Sequence, residues 1–177
     1  MSLELIIGSM YSGKSTELVR RVQRLKSIGT RCLVINHTSD TRVEGDFVET
    51  HDGKRAEAKK TDDLLLVDVR PYDAIAIDEG QFFTNLKTAV MLMVEKHGKH
   101  VIVAGLSGDY LRNPFGEILD LIPVADNVDF KRALCARCQH PERAASFTKR
   151  LSKETSQVYV SSSDYAALCR RCFLLSN

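Results

Sequence analysis

Gly8-Ser9-Met10-Tyr11-Ser12-Gly13-Lys14-Ser15-Thr16 is the stretch whose reading decides the fold. It fits G-x-x-x-x-G-K-[ST], a loop that turns its backbone N–H groups toward nucleotide phosphates. Its glycines let the backbone approach, one lysine reaches the outer phosphates, and one hydroxyl serves a magnesium ion. The flanks have the required order. Leu3 to Ile7 is a short apolar run suited to a buried strand, and Leu18, Val22 and Leu25 fall on one helical face after the loop. Strand, loop and helix in that sequence set a helix N-terminus against the phosphates.

Working outward, the chain has 177 residues, enough for one main domain with a small appendage. Its apolar fraction of 44% and charged fraction of 27% are those of a soluble globular protein. No apolar run approaches the roughly 20 residues that span a bilayer, and the amino terminus lacks a basic leader. A cytoplasmic protein with no membrane association is the expectation. Charge is unevenly spread: residues 1–130 carry 16 Lys+Arg against 20 Asp+Glu, and residues 131–177 carry 9 against 3. That shift predicts a nucleotide-binding α/β domain over 1–130 and a basic second piece over 131–177.

Four of the five cysteines lie in the second piece, as Cys135-Ala136-Arg137-Cys138 and Cys169-Arg170-Arg171-Cys172. Two C-x-x-C knuckles in a reducing compartment predict a four-thiolate structural zinc site. Cys32 sits in an apolar run and is expected to be an ordinary core residue.

Further along, the first helix is expected from about Ser15 to Ile28, with a strand at Cys32 to Ile35 after it. Residues 36–60 show no sustained periodicity. They contain Asp40-Thr41-Arg42 and Thr50-His51-Asp52, which are either rim ligands or solvated turns; spacing alone leaves both open. Thr61-Asp62-Asp63 is a cap for a short helix to Val67. Ala74 to Ile77 predicts a buried strand that ends on Asp78-Glu79. Four apolar residues and an acid match the second motif of phosphate-loop proteins, whose aspartate serves magnesium. Glu79, the adjacent carboxylate, is then the natural general base. A helix from about Thr84 to His97, a strand over Val101 to Ala104 and a short helix ending at Pro123 complete a mostly parallel sheet with helices on both faces.

Taken in order, these residues resemble the thymidine kinase family of the cytosolic and poxviral type. The phosphate loop, Asp40-Thr41-Arg42, Thr50-His51-Asp52, Ile77-Asp78-Glu79-Gly80-Gln81-Phe82-Phe83, Pro114-Phe115, Phe147-Thr148-Lys149-Arg150-Leu151 and both cysteine pairs all match its motifs. The resemblance implies a RecA-like α/β domain followed by a zinc-held lasso, and transfer of the ATP γ-phosphate to the 5′-hydroxyl of thymidine. By this analogy Glu79 is the base on that hydroxyl and Arg42 steadies the transferring charge. Lys14 and the loop amides hold phosphates, while Ser15, Asp40 and Asp78 serve magnesium. Met10, Phe82, Leu106, Tyr110 and Phe115 would wall the thymine pocket, with Thr148, Val158, Val160 and Tyr165 contributed by the lasso. The resemblance also implies a homotetramer and feedback inhibition by dTTP. One departure stands out: Val160-Ser161-Ser162-Ser163-Asp164-Tyr165 carries no glycine, where relatives usually have two. Two competing readings are a helicase-type ATPase, for which the chain is too short, and a nucleic-acid-binding zinc module, suggested by the basic second piece.

Overall fold

Short apolar runs bounded by polar residues suit strands buried on both faces, and such runs form the centre of a six-stranded sheet. The computed structural model describes residues 1–41, 47–49, 55–138, 140, 143–161 and 163–176, with backbone alone at 49 and 55. Ser2–Gly8 (β1) leads through the phosphate loop into the helix Lys14–Ser27 (α1), and Cys32–His37 is β2. Phe47–Glu49 (β3) and Arg55–Glu57 (β4) pair with each other, and Lys59–Thr61 is β5. Ala74–Ile77 (β6), the helix Leu86–Met91 (α2), His100–Leu106 (β7) and Asn127–Lys131 (β8) follow. The remaining chain makes two small antiparallel pairs. Ala133–Leu134 (β9) joins Ala144–Ala145 (β10), Phe147–Arg150 (β11) joins Tyr165–Leu168 (β12), and the helix Arg170–Leu174 (α3) closes the chain.

The sheet order is β5-β2-β6-β7-β1-β8, and every neighbouring pair in it is parallel. Period-2 alternation splits the side chains between two cores. Ile6, Val34, Ala76 and Ile102 pack with Leu18, Val19 and Val22 of α1. Leu3, Leu5, Ile75, Val101 and Val103 pack with Leu86, Ala89 and Val90 of α2 and with Leu64 and Ile118 of two 3₁₀ turns. Each fully buried side chain of this kind contributes about 1.5–3 kcal/mol, so both layers are needed to cover the sheet. Arg21 also ties α1 down, through ion pairs to Glu17, Glu4 and Asp129.

The predicted strands and first helix are present, with ends within a few residues. The second helix is shorter than its periodicity implies. Regular α-helix stops at Met91, and a wider π turn over Leu92–Lys96 keeps Met93 in the core. Within the predicted aperiodic stretch, β3, β4 and β5 are three residues each, too short to leave a period. The strand β8 was not anticipated because an edge strand alternates polar and apolar residues: Val128 and Phe130 are exposed while Asp129 meets Arg21. Asp63 caps as expected, its side chain accepting from Leu65 N–H at 2.8 Å, but the turn that follows is 3₁₀ rather than α.

Gly116 lies under the rim of the sheet with φ of 59°, and a Cβ there would sit 2.2 Å from the Gln81 carbonyl oxygen. Both facts favour glycine alone. Gly116→Ala is therefore expected to destabilise by about 2 kcal/mol or more, lowering Tm by roughly 4 °C or more for a chain of this size. An unchanged thermal melt would show that the turn relaxes freely.

Candidate active site

Because all six strands run the same way, their carboxyl ends and the loops after them share one rim, the usual ligand-binding edge of such sheets. The phosphate loop follows β1 there, and its chain reversal is pinned by one acceptor. The Ser9 carbonyl accepts from Lys14 Nζ at 2.7 Å and from Ser12 Oγ at 2.8 Å. Lys14 is buried, with its ammonium held above the loop at the start of α1. The loop is also stitched to the carboxy-terminal piece. Ser9 Oγ donates to the Ala145 carbonyl at 2.9 Å, and Met10 N–H donates to Thr148 Oγ1 at 3.0 Å.

Three acids stand at the ends of β2 and β6, and all three are buried. Asp40 follows β2, and Asn36 Nδ2 donates to its carboxylate at 2.9 Å. Asp78 follows β6; its N–H reaches the Ile35 carbonyl at 2.9 Å and its Oδ1 accepts from Glu79 N–H at 3.0 Å. The strands β2 and β6 are hydrogen-bonded neighbours, so Asp40 and Asp78 belong to adjacent loops of the rim.

Glu79 has φ of 53° and ψ of 40°, a left-handed conformation that is uncommon for residues other than glycine. Tyr11 and Arg112 share it, with φ of 60° and 72°. Such strain concentrates at functional sites, where the surrounding structure over-determines it. Gln81 braces the side chain of Glu79. Its side-chain Nε2 donates to Glu79 Oε2, and its Oε1 accepts from Leu106 N–H at 2.9 Å. A Cβ on Gly105 would lie 2.4 Å from that Oε1, so the absent side chain makes room for the amide. The motif contains Gln81, but its bracing role is not local, since the partner that anchors it, Leu106, is 25 residues away. Asn36 is a second residue of this kind, recognisable only once Asp40 is seen beside it.

One cleft gathers the rim. Residues 10–16 of the phosphate loop line it together with Glu79, Phe82, Leu106, Tyr110, Phe115, Thr148, Val160 and Tyr165. Phe82 and Phe115 meet edge to face at 5.7 Å. Behind them His37 packs at 4.7 Å on Phe83 and at 5.7 Å on Phe82, and burial lowers its pKa, leaving an uncharged ring at neutral pH. Gly8, Ser9, Asp40 and Asp78 are not among the residues lining the cleft. Val158 is half exposed and is not among the lining residues. Asp109, Gln157 and Tyr159 also line the cleft although sequence reasoning assigned them no role, and so does Arg150, which lies within the family motif over 147–151. Arg42, Thr50, His51 and Asp52 fall outside the described residues.

The four cysteines meet as the knuckle spacing requires, all four sulfurs within 4.8 Å of one another. Burial opposes ionisation of Cys135, but backbone N–H groups of Cys138, Cys169 and Arg137 bring its thiol down to about 6. Cys172 is pushed up to about 12 by burial, by the three neighbouring sulfurs and by the Cys135 charge. Such a cluster cannot become fully anionic unaided, and a thiophilic divalent ion at its centre relieves the repulsion. The donor set could hold zinc. Much of the local positive charge is engaged nearby: Arg170 stacks 4.7 Å from the Phe147 ring centre, and Arg137 Nη1 donates to the Leu175 carbonyl at 3.2 Å.

A sequence model of the family described as "Thymidine kinase" matches residues 1–173. Among individual proteins, the chain is 42% identical over 175 residues to the thymidine kinase of raccoon poxvirus, covering 97% of this chain and 96% of that one. The thymidine kinase of vaccinia virus strain Western Reserve is 40% identical with the same coverage. That of myxoma virus strain Uriarra is 42% identical, covering 97% of this chain and 95% of its own.

Elemental analysis of the purified protein is expected to find about one zinc per chain, the stoichiometry of a four-thiolate site. Chelation should expose the four thiols to a thiol reagent and disorder the piece they hold. Protein free of metal yet fully folded would rule the site out.

Proposed function

The chain belongs to the thymidine kinase family, and on that premise we propose how its rim residues divide the work of phosphorylating thymidine. The observation that carries the reading is the cleft: a phosphate loop, a strained and braced carboxylate and aromatic walls face one space. Phosphoryl transfer asks little covalent chemistry of a protein. It needs positioning and stabilisation of charge.

Lys14 and the N–H groups of residues 8–16 hold the ATP phosphates, supported by the position of the loop at the amino end of α1. Ser15, Asp40 and Asp78 hold magnesium, which when bound neutralises charge on the phosphates. Asn36 keeps the Asp40 carboxylate turned for that task. Glu79 takes the proton of the thymidine 5′-hydroxyl as that oxygen attacks the γ-phosphorus. Gln81 fixes one of its carboxylate oxygens, so the base does not swing away between turnovers. Arg42 steadies the transferring charge by family analogy alone. Thymine lies against Met10, Phe82, Leu106, Tyr110 and Phe115, flat apolar surface suited to a base. The lasso closes the other side with Thr148, Val160 and Tyr165, without the exposed Val158.

A division into a RecA-like domain over 1–130 and a lasso over 131–177 is supported by two features. The order of the sheet places β7 between the phosphate-loop strand and β6, and a separate apolar cluster surrounds the cysteines. In the lasso Cys135, Cys138, Cys169 and Cys172 would hold a structural zinc ion. Family membership further supports a cytoplasmic homotetramer with ATP and thymidine as substrates and dTTP as feedback inhibitor. Among the described residues no helix is long and apolar enough to cross a membrane.

Phosphate transfer from Mg-ATP to each of the four deoxynucleosides tests the reading directly, with product expected from thymidine and deoxyuridine. Glu79→Gln should keep both KM values and lower kcat by about 10²–10⁴, the usual loss for a missing general base. Near-normal turnover in that variant would remove Glu79 from the chemistry. ATP hydrolysis without a nucleoside product would remove the kinase.

A further inference from the structure

Arg150 closes β11, and its side chain is only 5% exposed. An arginine buried to that degree must satisfy five N–H donors, and here all five have acceptors. Nε and Nη2 donate to the Tyr165 hydroxyl at 3.1 and 2.7 Å. Nη1 donates to the carbonyls of Glu154 at 3.0 Å and Ser156 at 2.5 Å, and Nη2 reaches the Gln157 carbonyl at 3.2 Å. The guanidinium lies 3.8 Å from the centre of the Tyr110 ring, with the rings of Tyr165 and Tyr159 at 5.2 and 5.4 Å. Carbonyl dipoles and three ring faces thus meet its charge.

The partners are not scattered. Three of them are carbonyls of the segment between β11 and β12, and the fourth carbonyl of that run, Thr155, accepts from the Tyr110 hydroxyl at 2.9 Å. Four consecutive carbonyls, 154 to 157, are thus held by two side chains from outside the loop. Gln157 adds a third tie by donating from Nε2 to the buried Asp109 carboxylate at 2.9 Å. Tyr165 extends the chain of contacts by donating its hydroxyl proton to the Tyr159 carbonyl at 2.7 Å. Arg150, Gln157, Tyr159, Val160 and Tyr165 all line the cleft.

We infer that Arg150 is a positioning residue that pins segment 151–161 over the nucleoside end of the cleft, and so sets affinity for the nucleoside independently of ATP. The inference rests on the thymidine kinase reading for the identity of that nucleoside. A planar fork can reach three carbonyls and a hydroxyl while stacked on tyrosine. A lysine keeps the charge but offers three donors at a point and no plane.

Arg150→Lys is the test, by steady-state kinetics on the full chain. Thymidine KM should rise about tenfold or more, as several charge-assisted hydrogen bonds are lost, while ATP KM and kcat at saturating thymidine stay within about threefold. A thymidine KM within twofold of wild type, or an equal rise in both KM values, would overturn the assignment. If wild type itself transfers no phosphate to thymidine, the kinase reading fails instead, and the two failures are distinguishable. Should the variant not fold, trypsin on the wild-type protein decides, because cleavage needs a free arginine side chain. The native 150–151 bond should resist, and rapid cutting there would show that Arg150 is not pinned.

Discussion

Everything at the rim depends on the six strands running parallel. Parallel pairing forces each connection to cross back over the sheet, so both faces must be covered and the inner strands must be apolar on both sides. In return, the loops after β1, β2, β6 and β7 all open toward the same space. Without that constraint the phosphate loop, Asp40, Asp78-Glu79 and the loop beyond Leu106 would be unrelated motifs in distant parts of the chain. With it they are neighbours, and short polar loops suffice to bring them together. The two apolar layers hold this edge in register: α1 on one face also supplies the buried lysine, and α2 packs on the other.

The rim was largely legible in the sequence because its parts are local. A phosphate loop needs glycine and lysine at fixed offsets, and an acid that ends an apolar strand is visible as such. Cysteine knuckles carry their geometry in their spacing. What escaped is of a different kind. Gln81 and Asn36 are ordinary polar residues until their partners Leu106 and Asp40 are in place. Arg150 looked like one more member of a basic run, yet it is buried among tyrosines. Edge strands such as β5 and β8 were invisible because three to five residues, half of them solvated, leave no periodicity to detect. The second helix misled for the opposite reason: its apolar stripe continues smoothly through a turn whose hydrogen bonding changes.

The glycine-free stretch after Val160 makes its bend by side-chain hydrogen bonds. Ser161 Oγ accepts from the N–H groups of Ser163 and Asp164 at 3.3 and 3.2 Å, closing a turn with a side chain. Asp164 then accepts from the Tyr159 hydroxyl at 2.7 Å, and its carbonyl accepts from Leu151 N–H at 2.8 Å. The bend that glycine would make by conformational freedom is made here by hydroxyl and carboxylate acceptors. Such a turn is better defined than a glycine turn, since fewer unbound shapes compete with it.

The crowding around Gln81 reaches beyond its own hydrogen bonds. Gly105 and Gly116 press on the same residue from two sides, and the chain neighbours of those glycines, Leu106 and Phe115, are walls of the cleft. The part that shapes the pocket and the residue that braces the carboxylate are therefore in close contact. Enlarging the pocket at either wall, as one would to admit a bulkier nucleoside analogue, also shifts the amide that holds Glu79. Broadened substrate range and lost turnover are mechanically linked in this scaffold.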